Sequence, residues 1–443
     1  MGKGNKPTMR TKRLWPILAI SLFVSGCSSA SHLLDSVTGE KDVVLPGKRE
    51  SVLTSNDSAA GQNETSSEPI VIPAAETNPN WPQPGGQATN SFGNLSAGAT
   101  LSRAWSTSAG EGSTSTGRLV ASPIIVGGVA YVLDSENNVT AIRTQGGAKL
   151  WKVSLLPEGK STDAFGGGLA SDGQRIYATS VYGEALALDA STGAVQWRKK
   201  LGAPVRAAPT VTNGAIYFTG SSNEVFALRA SDGGELWKYQ GTGGRATIAS
   251  SPSPAVAQGF VVIPTTAGEI TAFTASDGLE AWSDALTASD PSAAASNIGS
   301  VAGRPVIEGD QVIAISNAGR MAAYSLKNGD RQWSREISGS QTPWVAGDHV
   351  FVIVNGKTLM ALSRRTGGVR WTKELPGKIW AGPVLGGGRL LAVSSDGQLA
   401  SISAQTGEIL STSKISDAFY IAPVIANGTV YLLSDDGELI ALR

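Results

Sequence analysis

Apolar and polar residues alternate in short runs along most of the chain, and one pattern of four runs repeats. Its clearest copy extends from Ala208 to Trp237 and reads APTVTNGAIYFTGSSNEVFALRASDGGELW. Alternation with Asn-Gly and Asp-Gly between the runs is typical of β-strands joined by tight hairpins, because those turns need residues with positive φ. The pattern predicts four strands: Pro209–Val211, Ala215–Thr219, Val225–Leu228 and a last strand that contains Trp237. Four strands cannot bury both faces of a sheet, so we expect each unit to pack against its neighbours.

The unit recurs about every 43 residues, a spacing that suits four-stranded propeller blades better than helical repeats of about 34 residues. A final apolar anchor occurs at Trp151, Trp197, Trp237, Trp282, Trp333, Trp371 and Leu410. The first hairpin turn occurs eight times, at Gly127-Gly128, Asp172-Gly173, Asn213-Gly214, Gln258-Gly259, Gly309-Asp310, Gly347-Asp348, Gly387-Gly388 and Asn427-Gly428. The second turn also occurs eight times, near Asn138, Gly183, Asn223, Gly268, Gly319, Lys357, Gly397 and Gly437. The third turn occurs only seven times, at Gly147, Gly193, Gly233, Gly278, Gly329, Gly367 and Gly407.

The eighth unit therefore lacks its fourth strand, and a candidate for that strand lies upstream of the first unit. Segment Leu101–Ser106 contains Trp105, a tryptophan that belongs to no complete unit. We predict that this strand completes the blade begun by Ala422–Arg443, because ring closure removes an exposed sheet edge. The predicted fold class is all-β, an eight-bladed β-propeller over residues 99–443. The alternative, an open β-solenoid, does not explain why the strand missing at one end is present at the other.

The tryptophans at blade spacing have a structural explanation. A large ring near the end of each unit can fill the wedge between successive sheets. We therefore predict that these side chains pack between blades rather than stack on a ligand.

Composition and charge give little sign of chemistry. The 36 Lys and Arg residues balance the 36 Asp and Glu residues, so charge gives no reason to expect nucleic acid as a partner. The two histidines are His32 and His349, which leaves no histidine-based catalytic constellation inside the propeller. No spacing suits a metal, and the glycine clusters Gly166–Gly168 and Gly386–Gly388 lack the Lys-Ser/Thr of a phosphate loop. We predict no catalytic residue, no metal site and no cofactor.

Residues 1–26 have the features of a targeting segment. Five basic residues precede an apolar run, Leu14–Val24, that is too short for a stable transmembrane helix. The run ends in Val24-Ser25-Gly26-Cys27, which resembles the lipobox of bacterial lipoproteins, and Cys27 is the single cysteine. This resemblance implies a signal peptide, lipid attachment to Cys27 and, because Ser28 rather than Asp follows, sorting to the outer membrane. The alternative is ordinary secretory cleavage beside an unrelated cysteine.

Residues 27–98 are rich in Ser, Asn, Gly, Pro and Thr and show little apolar patterning, so we predict a flexible, lipidated tether. Two less polar islands interrupt it, Asp42–Leu53 and Asn78–Gly86. Each island either docks on the propeller or a partner, or is simply a less polar part of the linker.

The repeat resembles that of quinoprotein (PQQ) dehydrogenases, most clearly at Ala187–Trp197. With the lipobox and eight units, nearly the whole mature chain resembles the BamB family, the lipoproteins of the β-barrel assembly machinery. The stretches that resemble it further are Leu45–Leu53, Asn80–Gly86, Gly303–Ile307, Gly319–Leu326, Gln341–Val352 and Tyr420–Val424.

The resemblance implies a non-enzymatic scaffold on the periplasmic face of the outer membrane, with BamA and the BAM complex as partners. It also implies assistance to nascent outer-membrane proteins. The family binds the periplasmic repeats of BamA through two neighbouring loops, and the longest connections here follow Trp237 and Trp282. The expected contact residues are Gly243, Arg245, Thr247 and Ile248 in the first, and Ile298, Ser300, Val301 and Arg304 in the second.

Two other functions stay open from the sequence. One is a PQQ-dependent periplasmic dehydrogenase, although the paired cysteines that those enzymes generally carry do not occur in a chain with one cysteine. The other is a periplasmic propeller that binds a polysaccharide or peptide ligand.

Overall fold

The computed structural model describes residues 69–162, 164–241, 252–265, 268–287 and 303–443. Its regular elements are 32 β-strands. The first sixteen are β1 (Arg103–Ser108), β2 (Ile124–Val126), β3 (Val129–Leu133), β4 (Asn138–Arg143), β5 (Lys149–Ser154), β6 (Gly167–Ser171), β7 (Arg175–Ser180), β8 (Glu184–Asp189), β9 (Val195–Lys200), β10 (Thr210–Thr212), β11 (Ala215–Thr219), β12 (Val225–Arg229), β13 (Glu235–Tyr239), β14 (Ala255–Ala257), β15 (Phe260–Pro264) and β16 (Glu269–Thr274). The others are β17 (Glu280–Ala285), β18 (Val306–Glu308), β19 (Gln311–Ile315), β20 (Met321–Ser325), β21 (Arg331–Arg335), β22 (Trp344–Ala346), β23 (His349–Val354), β24 (Thr358–Ser363), β25 (Val369–Glu374), β26 (Trp380–Gly386), β27 (Arg389–Ser394), β28 (Gln398–Ser403), β29 (Ile409–Lys414), β30 (Val424–Ala426), β31 (Thr429–Leu433) and β32 (Glu438–Leu442). No helix among these residues has the length and hydropathy to cross a bilayer.

The strands form eight antiparallel sheets of four strands each, the blades of a propeller. Blades 1 to 7 each take four consecutive strands, from β2–β5 to β26–β29. Blade 8 contains β30, β31 and β32, and its fourth strand is β1 from the other end of the chain. Trp105 of β1 lies opposite Ala441 of β32. The predicted eight-bladed ring and its closure by the N-terminal strand are confirmed.

The difference between inner and outer strands of a blade explains the hydrophobic pattern. The three inner strands are covered on both faces, so β8 and β12 are almost wholly buried. The fourth strand alternates in exposure, as in β9, because only one of its faces meets a neighbouring blade. Tight turns connect the strands, and in the turn Asn213-Gly214 both residues have positive φ, 50° and 75°. That geometry accounts for the Asn-Gly signal in the sequence.

The tryptophans pack between blades, as predicted. Each of seven indoles lies against the glycine of the third turn in the next blade, where an added Cβ would lie 2.6–2.8 Å from a ring atom. Each indole N–H also donates a hydrogen bond of 2.7–3.2 Å to a carbonyl near that turn. The pairs are Trp105 with Gly147, Trp151 with Gly193, Trp197 with Gly233, Trp237 with Gly278, Trp282 with Gly329, Trp333 with Gly367 and Trp371 with Gly407. Glycine is required there because a side chain would occupy the place of the ring.

The interface between blades 7 and 8 differs from the other seven. The strand register places Ser411 opposite Ser401, the position that Trp371 takes opposite Ala361 one blade earlier. The prediction of Leu410 as the last anchor is therefore wrong by one residue, and Leu410 is 56% exposed. Blade 8 has no third turn to receive an indole, because its fourth strand is β1 and does not follow β32 through a hairpin.

Arg389 connects blade 7 to those chain ends instead. Its guanidinium donates to the carbonyl oxygens of Ala99, at 2.7 Å, and Gly98. A charge-assisted pair of hydrogen bonds thus replaces the tryptophan contact at the eighth interface.

Residues 76–98, which we call the collar, differ from the predicted tether. They pack on the propeller and pass the innermost strand of each blade once around the ring. Trp81 and Leu95 are buried within a cluster that includes residues of blades 1, 6, 7 and 8. Island Asn78–Gly86 docks on the propeller, whereas Asp42–Leu53 and Cys27 lie outside the described residues.

The collar bonds to all eight blades in order. Its hydrogen bonds join Asn78 to Ile425 of blade 8, Trp81 to Ile125 of blade 1, Pro82 to Ser171 of blade 2, Gln83 to Val211 of blade 3, Ala88 to Val256 of blade 4, Thr89 to Ile307 of blade 5, Gly93 to Trp344 of blade 6, Leu95 to Leu385 of blade 7 and Gly98 to Gly428 of blade 8. The ends of the circuit meet, because Glu76 bonds to Asn94 and Ser96. The innermost strand of each blade is a sheet edge with unpaired peptide groups. The collar forms hydrogen bonds with many of these groups.

Candidate partner-binding face and channel cavity

The two faces of the ring are defined by the direction of the strands. The innermost strands, such as β2 and β14, end at the collar, so the turns that follow them lie on the collar face. Because the strands alternate in direction, the connections between blades lie on the opposite side. We call that side the connection face.

The two connections predicted to bind a partner are among the longest between blades, and the connection from Ser108 to Ile124 equals the shorter of them. Fifteen residues separate Tyr239 from Ala255, and twenty separate Ala285 from Val306. Seven of the predicted contact residues lie outside the described residues: Gly243, Arg245, Thr247, Ile248, Ile298, Ser300 and Val301. Both connections border blade 4, so their described ends are neighbours on the connection face.

Arg304 is the one predicted contact residue that the structure describes, and it lines a cavity in the central channel. Its backbone N–H donates to the Thr342 hydroxyl at 3.1 Å, and its Nη1 donates to the same oxygen at 3.3 Å. These contacts join the connection before blade 5 to the connection before blade 6. The side chain is half-buried. Burial lowers the pKa of Arg304 to about 10, which leaves the guanidinium cationic at neutral pH.

The cavity has a volume of about 200 Å³ and is formed by the segments that precede the inner strands. The collar supplies its wall on the other side, through Trp81, Pro84, Gly85 and Asn90. Gly85 is required there because a Cβ would lie 1.9 Å from the Asn90 side-chain oxygen. Asn90 in turn donates to the carbonyl of Pro305 at 2.9 Å and contacts that of Pro254 at 3.4 Å. The collar thus closes one side of the channel.

The polar groups of the cavity are mostly donors. Arg206 lines it from blade 3, and its guanidinium carbon lies 5.7 Å from the centre of the Phe165 ring. Gln341 accepts a hydrogen bond from the Gly382 N–H at 3.2 Å, so its amide nitrogen stays available as a donor. No lining residue in the described part of the chain is acidic, and neither Arg206 nor Arg304 forms an ion pair there. The described residues that line the cavity therefore carry a net positive charge.

The mouth of the cavity includes exposed apolar side chains. Val120, in the connection between β1 and β2, is 44% exposed, and Tyr420, before β30, is 51% exposed. Both line the cavity beside blades 1 and 8. The repeat pattern does not point to these two residues or to Arg206, because each lies in an irregular segment outside the repeated strands and turns.

The titratable groups do not form a catalytic constellation in the described ranges. No group of three His, Cys, Asp or Glu side chains there could hold a metal ion. His349 is buried at the start of β23, on the collar face, and its Nδ1 meets no acceptor or donor in the described part of the molecule. Burial and the charge of Arg370 lower the pKa of His349, and Asp348 opposes that shift. A lone neutral histidine on this face suits a structural role.

The sequence matches the profile of one protein family. The sequence profile described as "Outer membrane protein assembly factor BamB" matches residues 87–164, 145–373 and 355–443. These segments cover the propeller and half of the collar. The chain belongs to the BamB family.

Individual BamB family members are distant in sequence. The chain is 23% identical to outer membrane protein assembly factor BamB of Nitrosomonas eutropha over 218 residues, 49% of this chain and 52% of that protein. It is 23% identical to the BamB of Bordetella pertussis over 243 residues, 54% of this chain and 60% of that protein. The chain thus spans a little over half the length of these relatives.

Solved structures share the propeller. The crystal structure of BamB from Moraxella catarrhalis superposes with a TM-score of 0.67 at 19% identity and covers 78% of this chain and all of that one. The quinohemoprotein alcohol dehydrogenase of Comamonas testosteroni superposes with a TM-score of 0.66 at 15% identity, over 87% of this chain and 84% of that one. At these identities the likeness establishes the fold alone.

Proposed function

We propose that this protein is a non-enzymatic scaffold lipoprotein of the outer-membrane β-barrel assembly (BAM) complex. It binds the periplasmic repeats of BamA and assists the assembly and insertion of β-barrel proteins. Membership of the BamB family is the observation that carries this proposal. Lipid on Cys27 holds the protein on the periplasmic face of the outer membrane.

The arrangement of the ring supports binding through the connection face. The collar occupies the ends of the innermost strands on the other face, and the described ends of the two long connections are neighbours at blade 4. Long connections on a rigid scaffold are the usual carriers of binding residues. We retain Gly243, Arg245, Thr247, Ile248, Ile298, Ser300 and Val301 as contact residues, and we assign Arg304 to the channel cavity.

Affinity capture of the full-length lipoprotein from membranes in mild detergent tests the proposal. BamA is expected in the eluate, and its absence would contradict the proposal. Arg245→Glu and Ile248→Glu are expected to reduce capture of BamA by tenfold or more, about 1.4 kcal/mol each. Arg143→Glu and Leu279→Glu are matched controls, because Arg143 and Leu279 are exposed on the collar face. An equal loss of BamA capture in the control variants would mean that the contact does not lie on the connection face.

The alternative is a PQQ-dependent dehydrogenase, which shares the fold. Incubation with PQQ and calcium, followed by dye reduction with alcohols or sugars, separates the two functions. Turnover that depends on added PQQ would overturn the scaffold proposal.

A further inference from the structure

We propose that the channel cavity binds an oxyanion, a carboxylate or phosphate group of a small ligand, between Arg206 and Arg304. This site is separate from the proposed contact with BamA. It uses residues that line the channel cavity, and Arg304, at the end of the second long connection, is the one predicted contact residue among them.

The charge of the cavity identifies the class of ligand. Arg206 and Arg304 both line a space with no acidic residue in its described wall. A cleft lined by charges of one sign concentrates counter-ions. A planar guanidinium matches the geometry of carboxylate and phosphate oxygens, so an oxyanion gains more here than a monatomic anion does.

The arginine at blade 5 is held in position before any ligand arrives. Thr342 accepts hydrogen bonds from both the backbone N–H and Nη1 of Arg304, at 3.1 and 3.3 Å. The other N–H groups of the Arg304 guanidinium have no hydrogen-bond acceptor among the described residues and can donate to a ligand. Gln341, beside Thr342, adds an amide donor, since its oxygen is already bonded to Gly382. A donor set fixed in this way pays less conformational entropy when it binds an acceptor.

The dimensions and shape of the cavity limit the ligand. A volume of about 200 Å³ lies below the usual range for drug-sized ligands, about 300–1,000 Å³. The collar closes one side, so a ligand enters from the connection face. At that mouth Val120 and Tyr420 offer apolar contact opposite the cationic side of the wall. A small organic acid or phosphate compound with an apolar part satisfies both surfaces.

Titration calorimetry of the full-length lipoprotein in detergent tests the site with two probes, inorganic phosphate and citrate. At least one probe is expected to bind saturably at one site per chain. Saturation by citrate alone identifies a carboxylate ligand, and saturation by phosphate alone identifies a phosphate compound. Failure of both probes to saturate at concentrations up to about 10 mM, a free energy of only about −2.7 kcal/mol, would overturn the proposal.

Variants locate the binding. Arg206→Gln and Arg304→Gln are each expected to weaken the dissociation constant by about tenfold or more, the effect of losing charge-assisted hydrogen bonds. Arg206→Lys keeps the charge and is expected to lose less. Arg143→Gln makes the same charge change on the collar face and is expected to bind like the wild type.

Two outcomes of the variant series would contradict the site. One is equal weakening in Arg143→Gln, which would mean a non-specific charge effect. The other is unchanged binding in Arg206→Gln. Because Arg304 also contacts Thr342, the thermal unfolding of Arg304→Gln is measured alongside. If Arg304→Gln unfolds at a lower temperature than the wild type, the comparison of Arg206→Gln with Arg206→Lys decides the test.

Discussion

The two faces of the ring differ in how their peptide groups and side chains are used. On the collar face, residues 76–98 bond to every blade, and the third-turn glycines receive the indole rings. On the connection face, the cavity mouth exposes Val120 and Tyr420, and Arg206 and Arg304 line the cavity with no acidic residue among its described lining. The comparison indicates a division of labour in which one face holds the ring together and the other is available for binding.

The largest effect is expected from truncating the central side chain of the collar. Trp81→Ala removes a buried ring that lies 6.2 Å from the ring of Trp344 and 5.2 Å from that of Phe92. We expect a loss of about 3–5 kcal/mol in the free energy of unfolding, measured with denaturant. Tyr420→Ala, on the connection face, is expected to change it by less than about 0.5 kcal/mol. Equal effects would remove the distinction between the faces.

Two glycines of blade 3 distinguish the energetic cost of backbone strain from the cost of overpacking against an indole ring. Gly233 and Gly214 both have positive φ, 70° and 75°, but only Gly233 lies against a ring, that of Trp197. Gly214→Ala is expected to cost about 1–2 kcal/mol of strain. Gly233→Ala is expected to cost about 1–3 kcal/mol more, from overpacking. If thermal and denaturant unfolding give both variants the same stability, the indole contact contributes little.

Asn90 tests the hydrogen bonds between collar and blades. Asn90→Gly removes the donor to Pro305 while tolerating the φ of 58°, so we expect a cost of about 1–3 kcal/mol. Asn90→Ala is expected to be worse by about 1–2 kcal/mol, because alanine is strained at that φ. Denaturant unfolding of both variants checks the order, and the reverse order would mean that the side-chain contacts with Gly85 dominate.

The smallest effect is a pH dependence on the collar face. The folded protein disfavours protonated His349, so the unfolded chain binds more protons below its ordinary pKa of about 6.5. Stability is therefore constant above neutral pH and falls as the pH is lowered from 7.5 to 5.5. Unfolding of His349→Gln over the same range is expected to show a smaller fall. An identical slope would assign the dependence to other groups.

The repeated part of the fold was predictable from sequence because each blade satisfies local rules. Positive-φ residues fix the hairpins, and the count of third turns shows which strand is missing. The anchor at Leu410 was misplaced by one residue because an apolar side chain was sought there. In blades 1 to 6 the tryptophan lies four residues after the third-turn glycine, and the same spacing from Gly407 gives Ser411, which lies opposite Ser401.

The collar and the cavity were not predictable in the same way. Residues 76–98 have no strand alternation because their partners are the edges of eight separate sheets, so composition suggested a tether. Arg206 and Arg304 line the same cavity only because the ring brings separate connections to one channel. Their distance along the chain hides a relation that the topology creates.

The circuit of the collar also sets an order of events in folding. Asn78 bonds to Ile425, a contact between residues 347 positions apart. The collar leaves the ribosome early, yet its partners are complete only after the eighth blade has been synthesised. Contacts of such long sequence separation form late. The collar, which emerges before the propeller, is thus among the last segments to reach its native place, and until then the innermost edges of all eight sheets stay open to chaperones or to aggregation.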